Sequence, residues 1–506
     1  MQPQSLAMSN TLNVFSGKNA LVDYYNPDCN PPLPLVELPD HPFVEDGVRI
    51  YAKMMTALPA GNVKALPALN MLLRGREDES ITADTHKIVE YSSGNTVISL
   101  GILSKILGIG NTCAYISNKT SSAKINLLRF FGLELTLFGG PAQVEPADVN
   151  GGIFAALKDG REKPGYYCPG QYSNPQNSEA HVRWTGPQIL AQLPNISIFA
   201  AAVGTSGTMT GTGAFLKSKR PDLVNLGVFT APRDRVPGPR PIDLVQSVDL
   251  PWREVIDCSE HVDSHSAYKA SLELCRTGLL GGPSSGLAYV GLLKYLQKQK
   301  DIGALNKLRD GDGNISCAFI VCDLPYQYIN EYVFKLGESA FPPIRNAELL
   351  DVDTYPYGVD WKISAKSAQR KIGLYRAPLT PPSSPTQSEV STDEDDKPVT
   401  VIDLREIGSR PVLHAFNVQH FPVCSASSPN PFSDPPTLAH QWKMMELQLG
   451  VSEAGSLGQD LKRKVVILLC YAGQTASIAA SVLRNRGVEA YWVEGGMSAW
   501  SQMSKQ

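Results

Sequence analysis

Short apolar runs rich in β-branched residues recur at residues 48–52, 112–116, 196–203, 226–230 and 315–321, and stretches with the apolar spacing of a helix separate them. A run of this length without polar alternation predicts a strand buried on both faces, the kind found in parallel sheets covered by helices. Strands and helices taken in turn confine residues 1–375 to an α/β architecture with a parallel sheet. Residues 376–398, RAPLTPPSSPTQSEVSTDEDDKP, break the pattern with proline, serine and acid. They carry too few apolar side chains to offset the entropy of ordering them, and are expected to form a disordered linker. Within residues 399–506 the runs 399–404 and 465–469 again predict buried strands, and 474–484 has the spacing of a helix packed on a sheet. A second, smaller α/β domain is therefore expected there.

The chain has 506 residues, 42% of them apolar, which suits about three compact units at roughly 100–200 residues per domain. A formal net charge of −3 with 19% charged residues leaves no basic field for nucleic acid, so the expected partner is a small molecule. The first residues, MQPQSLAMSN, lack a basic segment followed by an apolar core, and no apolar run reaches the length of a membrane span. These features predict a soluble, cytoplasmic protein with no membrane partner. Nine cysteines form no CxxC pair, which predicts scattered reduced thiols. His261 and His265, four apart, are expected to share a polar helix face, and with no third ligand no metal is expected.

Three features carry chemistry in the first part. Lys64, in Asn62-Val63-Lys64, falls where a strand gives way to a helix, so its amine can face a cleft, although most lysines are solvated surface charges. Ser92-Ser93-Gly94-Asn95-Thr96 precedes a helical run and offers hydroxyls, an amide and backbone N–H groups to an anion such as a carboxylate; an ordinary N-cap is the alternative. Gly204-Thr205-Ser206-Gly207-Thr208 follows the apolar run SIFAAAV, and such a turn lets several N–H groups close on a phosphate. It has neither GK[ST] nor GxGxxG, so a small phosphorylated cofactor suits it better than ATP or NAD.

In order and spacing these features resemble the cysteine synthase and cystathionine β-synthase family of fold-type II pyridoxal phosphate enzymes, over residues 32–328. The resemblance implies two α/β subdomains with pyridoxal 5′-phosphate between them, and a homodimer formed through this domain. It makes Lys64 the lysine that carries the cofactor as an imine and acts as base. It places Ser92, Ser93, Gly94 and Thr96 on the substrate carboxylate, with Asn95 on the cofactor's phenolic oxygen. Gln171, in Gln171-Tyr172-Ser173-Asn174-Pro175-Gln176-Asn177, followed by His181, would be a second carboxylate contact. Gly204, Thr205, Ser206, Gly207 and Thr208 would hold the phosphate, and Ser284, in Gly282-Pro283-Ser284-Ser285-Gly286, belongs to a late active-site turn.

The chain also departs from that family. Ala65-Leu66 stand where relatives have Asp-Arg, and Cys322-Asp323-Leu324 puts Leu324 where many relatives place a serine against the pyridine nitrogen. An Asp323 turned inward would instead keep that nitrogen protonated. The segments 236–240 and 249–252 replace a glycine-rich substrate loop, so the substrate need not be O-acetylserine.

In the last part, the run Val465-Val466-Ile467-Leu468-Leu469 leads straight into Cys470 and the loop Tyr471-Ala472-Gly473-Gln474-Thr475-Ala476. A thiol ringed by loop N–H groups near a helix N-terminus would have its thiolate favoured; a buried core cysteine is the alternative. With Val401-Ile402-Asp403-Leu404-Arg405, Leu413-His414-Ala415-Phe416-Asn417 and Val493-Glu494-Gly495-Gly496-Met497-Ser498-Ala499-Trp500, this loop resembles a rhodanese, or sulfurtransferase, domain. The resemblance implies that Cys470 carries sulfane sulfur as a persulfide. Thr475 stands where many members have an arginine, which argues against thiosulfate as donor.

The expected function is a pyridoxal phosphate-dependent β-substitution or β-elimination on an amino acid with a Cβ leaving group, coupled to sulfur transfer through Cys470. The partners implied are an amino-acid substrate and a sulfur or other nucleophile. Two alternatives stand beside it. One is C–C or C–N bond formation with an inactive rhodanese domain, and the other is a non-catalytic binding scaffold.

Overall fold

In the computed structural model, every apolar run named above is a strand with at least one parallel neighbour. The structure describes residues 10, 12–141, 143–374, 397–408, 418–449 and 460–503. The expected linker, but for its last two residues, and the segment from Leu413 to Asn417 lie outside the described residues. Contacts divide the chain into two units, Met1–Pro342 and Pro343–Gln506.

The strands of the first unit are β1 (Leu35–Leu38), β2 (Val48–Met54), β3 (Lys87–Tyr91), β4 (Asn111–Ser117), β5 (Glu134–Phe138), β6 (Tyr166–Tyr167), β7 (Ile196–Ala202), β8 (Val224–Thr230), β9 (Cys258–Val262) and β10 (Ile315–Val321). They form two sheets, one of order β1-β2-β10-β7-β8-β9 and one of order β5-β4-β3-β6. All pairings are parallel except that of β1 with β2. The two faces of the larger sheet bury alternate residues of the same strands. Along β10, Ala318 and Ile320 join one core with Phe199 and Ala201, while Cys317, Phe319 and Val321 join another with Ile198 and Ala200. Burial on both faces is why these strands read as unbroken apolar runs. The smaller sheet is built likewise, with Val89, Tyr91, Cys113 and Tyr115 on one side and Ala114 and Ile116 on the other.

The second unit contains β11 (Lys362–Ile363), β12 (Val399–Arg405), β13 (Val418–Cys424), β14 (Val465–Leu469) and β15 (Glu489–Val493), in the order β11-β15-β14-β12-β13. All four pairings are parallel. The division between units falls earlier than the boundary expected at residue 375. Strand β11 pairs with β15, and helix Ala365–Leu374 adds Ala368 and Ile372 to a core shared with Ile467 and Trp500. The sequence around 343–374 has no apolar run long enough to announce this attachment.

A second correction concerns the histidine pair. His261 lies in β9 and stacks on Phe229, whereas His265 belongs to helix Ser264–Arg276, so they share no helix face. Among the described residues no group of three or more His, Cys, Asp or Glu is arranged to hold a metal ion, and no helix is long and apolar enough to cross a membrane. All nine cysteines are free.

Candidate functional site

Ligands of open α/β sheets bind outside the carboxyl ends of the strands, and in the first unit four of the expected segments follow such ends. The connections after β2, β3, β7 and β10 border one cavity, which brings together Lys64, the loop from Ser92 to Thr96, Gly204 with Thr205 and Thr208, and Asp323. Gln171 and Ser284 complete its lining among the expected residues.

Lys64 directly precedes helix Ala65–Glu77. Its backbone N–H donates to Asn62 Oδ1 at 2.9 Å, and Ser99 Oγ donates to the same oxygen at 3.1 Å. The N–H of Val63 donates to the Cys322 carbonyl at 2.7 Å, so the lysine loop is stitched to the end of β10. Burial pulls the Lys64 ammonium below its ordinary pKa, with Cys322 and Asp323 opposing that shift. An amine held this way has a larger neutral, nucleophilic fraction than a surface lysine.

Gly94 caps helix Asn95–Ile106, which places the expected carboxylate loop at that helix's N-terminus. Thr96 Oγ1 donates to Gln171 Oε1 at 2.8 Å, and Gln171 Nε2 donates to the Tyr91 carbonyl at 3.2 Å. Glu90, buried beneath, accepts the N–H groups of Gly170 and Gln171 on Oε2 and that of Tyr91 on Oε1. Burial pushes its carboxyl up to about 7, outweighing the three N–H donors that favour the charged form.

The expected phosphate turn runs from β7 into helix Gly207–Lys219, with Ser206 in the left-handed region at φ 67°. The first N–H groups of a helix have no partner within it and point at whatever sits before them. Gly204, Thr205 and Thr208 line the cavity, while Ser206 and Gly207 shape the turn behind it. A Cβ on Gly204 would lie 2.4 Å from the Gly238 carbonyl oxygen, and one on Gly207 would lie 2.1 Å from Asn177 Oδ1, so both glycines are required by close approach. Asn177 Nδ2 donates to the Gln171 carbonyl at 2.7 Å and to Thr205 Oγ1 at 3.0 Å, tying the two ligand loops together. Beneath them, His181 lies within hydrogen-bond distance of Thr208 Oγ1 and Thr185 Oγ1. Burial and the Lys64 charge hold its pKa down at about 3, so the imidazole is neutral at neutral pH.

At the end of β10 the register is resolved. Asp323, not Leu324, lines the cavity, and Leu324 packs against Gly61 instead. Asp323 Oδ2 accepts from Asn95 Nδ2 at 2.6 Å, Tyr328 Oη at 2.7 Å and Gln327 Nε2 at 3.2 Å. Burial lifts its pKa, and hydrogen bonds with Tyr328 and Asn95 oppose that. The neighbouring Cys322 thiol is pushed up to about 11, chiefly by burial.

Among the described residues Asp323 is the one acid lining the cavity, against the cations Lys64, Lys124, Arg235 and Arg240, of which Lys124 is ion-paired with Glu331 at 2.7 Å. That balance suits a ligand rich in phosphate and carboxylate. Arg240 is buried, stacked on Tyr172, and donates to the Tyr172 hydroxyl and the Val144 carbonyl. The residues fit a phosphorylated pyridine aldehyde: a buried amine for the aldehyde, and for the phosphate a turn at a helix N-terminus that is open to the ligand because a Cβ on Gly204 would not fit. Sequence reasoning gave no role to Glu90, Arg240, Gln327 or Tyr328. The available signal for Glu90 was a single acid inside the apolar strand KIVEY.

In the second unit Cys470 directly follows β14 and is buried, and its Sγ accepts N–H groups from Gly473 at 3.0 Å and Ala476 at 3.4 Å. Its carbonyl accepts from Met497 at 2.9 Å, and Gly496 approaches so closely that a Cβ there would lie 2.4 Å from that oxygen. The loop is therefore braced by the segment that contains Gly495-Gly496-Met497. Contrary to expectation, burial raises the Cys470 pKa despite the N–H donors that oppose it. Thr475 is buried and donates to Gln441 Oε1 at 3.1 Å.

Two family profiles match, one described as Pyridoxal-phosphate dependent enzyme over residues 28–305 and one as Rhodanese-like domain over residues 386–503. The chain is 31% identical over 270 residues to the cysteine synthase of Staphylococcus aureus, a match covering 51% of this chain and 83% of that one. It is likewise 31% identical over 290 residues to the N-(2-amino-2-carboxyethyl)-L-glutamate synthase of Ralstonia nicotianae, covering 54% and 81% of the two chains. Among solved structures, a hydrogen sulfide-producing enzyme from Fusobacterium nucleatum shares the fold with a TM-score of 0.50 and 24% identity, over 58% of this chain and 94% of the other.

Proposed function

Because this chain belongs to the pyridoxal-phosphate dependent enzyme family and ends in a rhodanese-like domain, we propose that it replaces a leaving group on Cβ of an amino acid with sulfur supplied through Cys470. The observation that carries this reading is the meeting of Lys64, the Ser92–Thr96 loop and the Gly204–Thr208 turn in one cavity. When bound, pyridoxal 5′-phosphate supplies a conjugated ring that takes up the electrons left when a Cα proton departs. The N-terminus of helix Gly207–Lys219 and the hydroxyls of Thr205 and Thr208 hold its phosphate. Asn95 holds the phenolic oxygen, and Ser284 contributes to the cofactor end of the cavity.

Ser92, Ser93, Gly94, Thr96 and Gln171 orient the substrate carboxylate, with Glu90 and Asn177 fixing Gln171 in turn. Lys64 Nζ takes the Cα proton as the Cβ bond to the leaving group breaks, and returns it after the nucleophile adds. For sulfur supply, Cys470 carries a persulfide that two equivalents of a small thiol reduce: the S–S bond breaks, the thiols leave as a disulfide, Cys470 returns to thiol and hydrogen sulfide is released. Hydrogen sulfide then adds at Cβ. The reading includes a cytoplasmic homodimer formed through the first unit, checked by fractionation and light scattering.

The test feeds purified protein a panel of Cβ-activated amino acids with either sulfide, or a persulfide donor plus thiol. Cys470→Ala is expected to retain the sulfide-fed reaction and lose the persulfide-fed one, and Lys64→Ala to lose both. Equal turnover of Cys470→Ala in the two regimes removes the relay. A second reading, in which the amine of an acidic amino acid is the nucleophile, is favoured by the cations Lys124 and Arg235 on the cavity wall and by the likeness to the Ralstonia synthase. Product formation from such amines without sulfide selects it.

A further inference from the structure

Cys424 ends β13 and Cys470 directly follows β14, at the same edge of the second sheet, with β12 between those strands. Asp403 of β12 stands opposite Leu469, which brings Cys470 level with Leu404. Cys424 is paired with Arg405, and its Sγ donates to the Leu404 carbonyl at 3.4 Å. The Cys424 sulfur therefore lies against the β12 residue that is level with Cys470. Burial first, and the Cys470 charge second, push the Cys424 thiol up to about 11, while hydrogen bonds with the Thr475 side chain and the Tyr471 backbone oppose them. Both of those partners belong to the loop that wraps Cys470. Tyr471 is covalently next to Cys470, so a sulfur bonded to its N–H is a neighbour of the Cys470 side chain. The two thiols are buried in one core with Leu404 and Ala476, whereas Cys113 and Cys317 lie in cores of the first unit. Thr475, at the position where many sulfurtransferases have an arginine, is buried in contact with Cys424 and Gln441.

A persulfide gives up its outer sulfur as sulfide only when a second thiol supplies the electrons. We propose that Cys424 is the resolving thiol of the relay: its sulfur attacks Sγ of a Cys470 persulfide and expels the outer sulfur. This rests on the persulfide reading of Cys470 given above and deepens it. The Cys424–Cys470 bond forms as the bond from Cys470 Sγ to the outer sulfur breaks. The electron pair of the broken bond leaves as hydrosulfide, which takes up the Cys424 proton and departs as hydrogen sulfide. The sulfane sulfur is thereby reduced and the two cysteines are oxidised to a disulfide. Two equivalents of a small thiol then reduce that disulfide and leave as their own, so the relay consumes the same two thiols overall. A thiol held against the same loop competes with dissolved thiol at a high effective concentration. Thiolate nucleophilicity rises with thiol pKa, and the proton that burial keeps on Cys424 is the one the departing sulfur requires.

The test mixes fully reduced full-length protein with one equivalent of glutathione persulfide and no other thiol. Sulfide is read by electrode, and the state of each cysteine by peptide mapping without reductant. The wild type is expected to release sulfide at a rate independent of protein concentration, leaving the peptides of Cys424 and Cys470 joined by a disulfide. Cys424→Ala is expected to hold the sulfur on Cys470, seen as the added mass of one sulfur atom, and to release it at least ~10-fold more slowly until millimolar thiol is added. The wild-type measurements stand whether or not the variant folds. A wild type that keeps its persulfide until thiol is added, or that releases sulfide with Cys424 still a free thiol, overturns the assignment of Cys424 alone. Equal release from the wild type and Cys424→Ala does the same. A wild type that yields no sulfide and gains no sulfur on Cys470 overturns the relay beneath it.

Discussion

Glu90 Oε2 lies 3.1 Å from the backbone nitrogen of Gln171, although 81 positions separate the two residues in the chain. A buried acid thus fixes the backbone of a loop whose side chain lines the ligand cavity. Burial raises the folded pKa from its ordinary 4.5 to about 7, so the sign of its pH effect is set. Its contribution to stability is fully present below pH 4.5 and is lost as pH rises toward 7, because the folded chain keeps a proton that the unfolded chain has released. At ~1.4 kcal/mol per unit the loss is on the order of 3 kcal/mol. Glu90→Gln, which cannot titrate, is expected to be the less stable protein at pH 5 and to close that gap by pH 8, as read by urea denaturation. A constant gap across this range would show that the carboxyl titrates normally.

Gly207 and Asn177 are coupled in the same way by space. A methyl on Gly207 would lie 2.1 Å from Asn177 Oδ1, an oxygen that has no hydrogen-bond partner, so the clash falls on the side chain that ties Gln171 to Thr205. Gly207→Ala is expected to weaken pyridoxal phosphate binding by ~10-fold or more, the scale of a lost loop geometry and one or two hydrogen bonds. Asn177→Ala should weaken it less. The double variant is expected to bind no worse than Asn177→Ala alone, because truncating the asparagine removes the atom that the methyl strikes. Additive losses in a titration of cofactor absorbance would show that the two positions act independently.

The strands and the loops that border the cavity were legible in the sequence for a common reason. A strand buried on both faces has to be apolar throughout, and loops that approach a ligand by backbone need small residues at fixed places, such as Gly204 and Gly207. What could not be read are relations set by tertiary contact. Asp323 and Leu324 are adjacent, and which one faces the cavity is decided by Gly61, Gly282 and Tyr328, residues far apart in the chain. The attachment of residues 362–374 to the second sheet rests on a two-residue strand and three buried side chains, Ala365, Ala368 and Ile372, too little pattern to detect. At Cys470 the N–H donors were foreseen, but the depth of burial that overrides them was not.

That override gives the last prediction. Two N–H groups, from Gly473 and Ala476, point at Cys470 Sγ, and each favours the thiolate, yet the side chain is nearly sealed from solvent and the balance falls on the thiol. With a pKa above the ordinary 9.0, the thiolate fraction at neutral pH is smaller than that of an exposed cysteine. Alkylation of Cys470 by iodoacetamide in the folded protein at pH 8 is expected to run at least ~10-fold slower than in urea, where the thiol is exposed and titrates at its ordinary value, with peptide mapping to separate it from the other thiols. Its rate should still be climbing at pH 9. A plateau below pH 7 would mean that the loop's N–H donors outweigh burial and hold Cys470 as a thiolate at neutral pH.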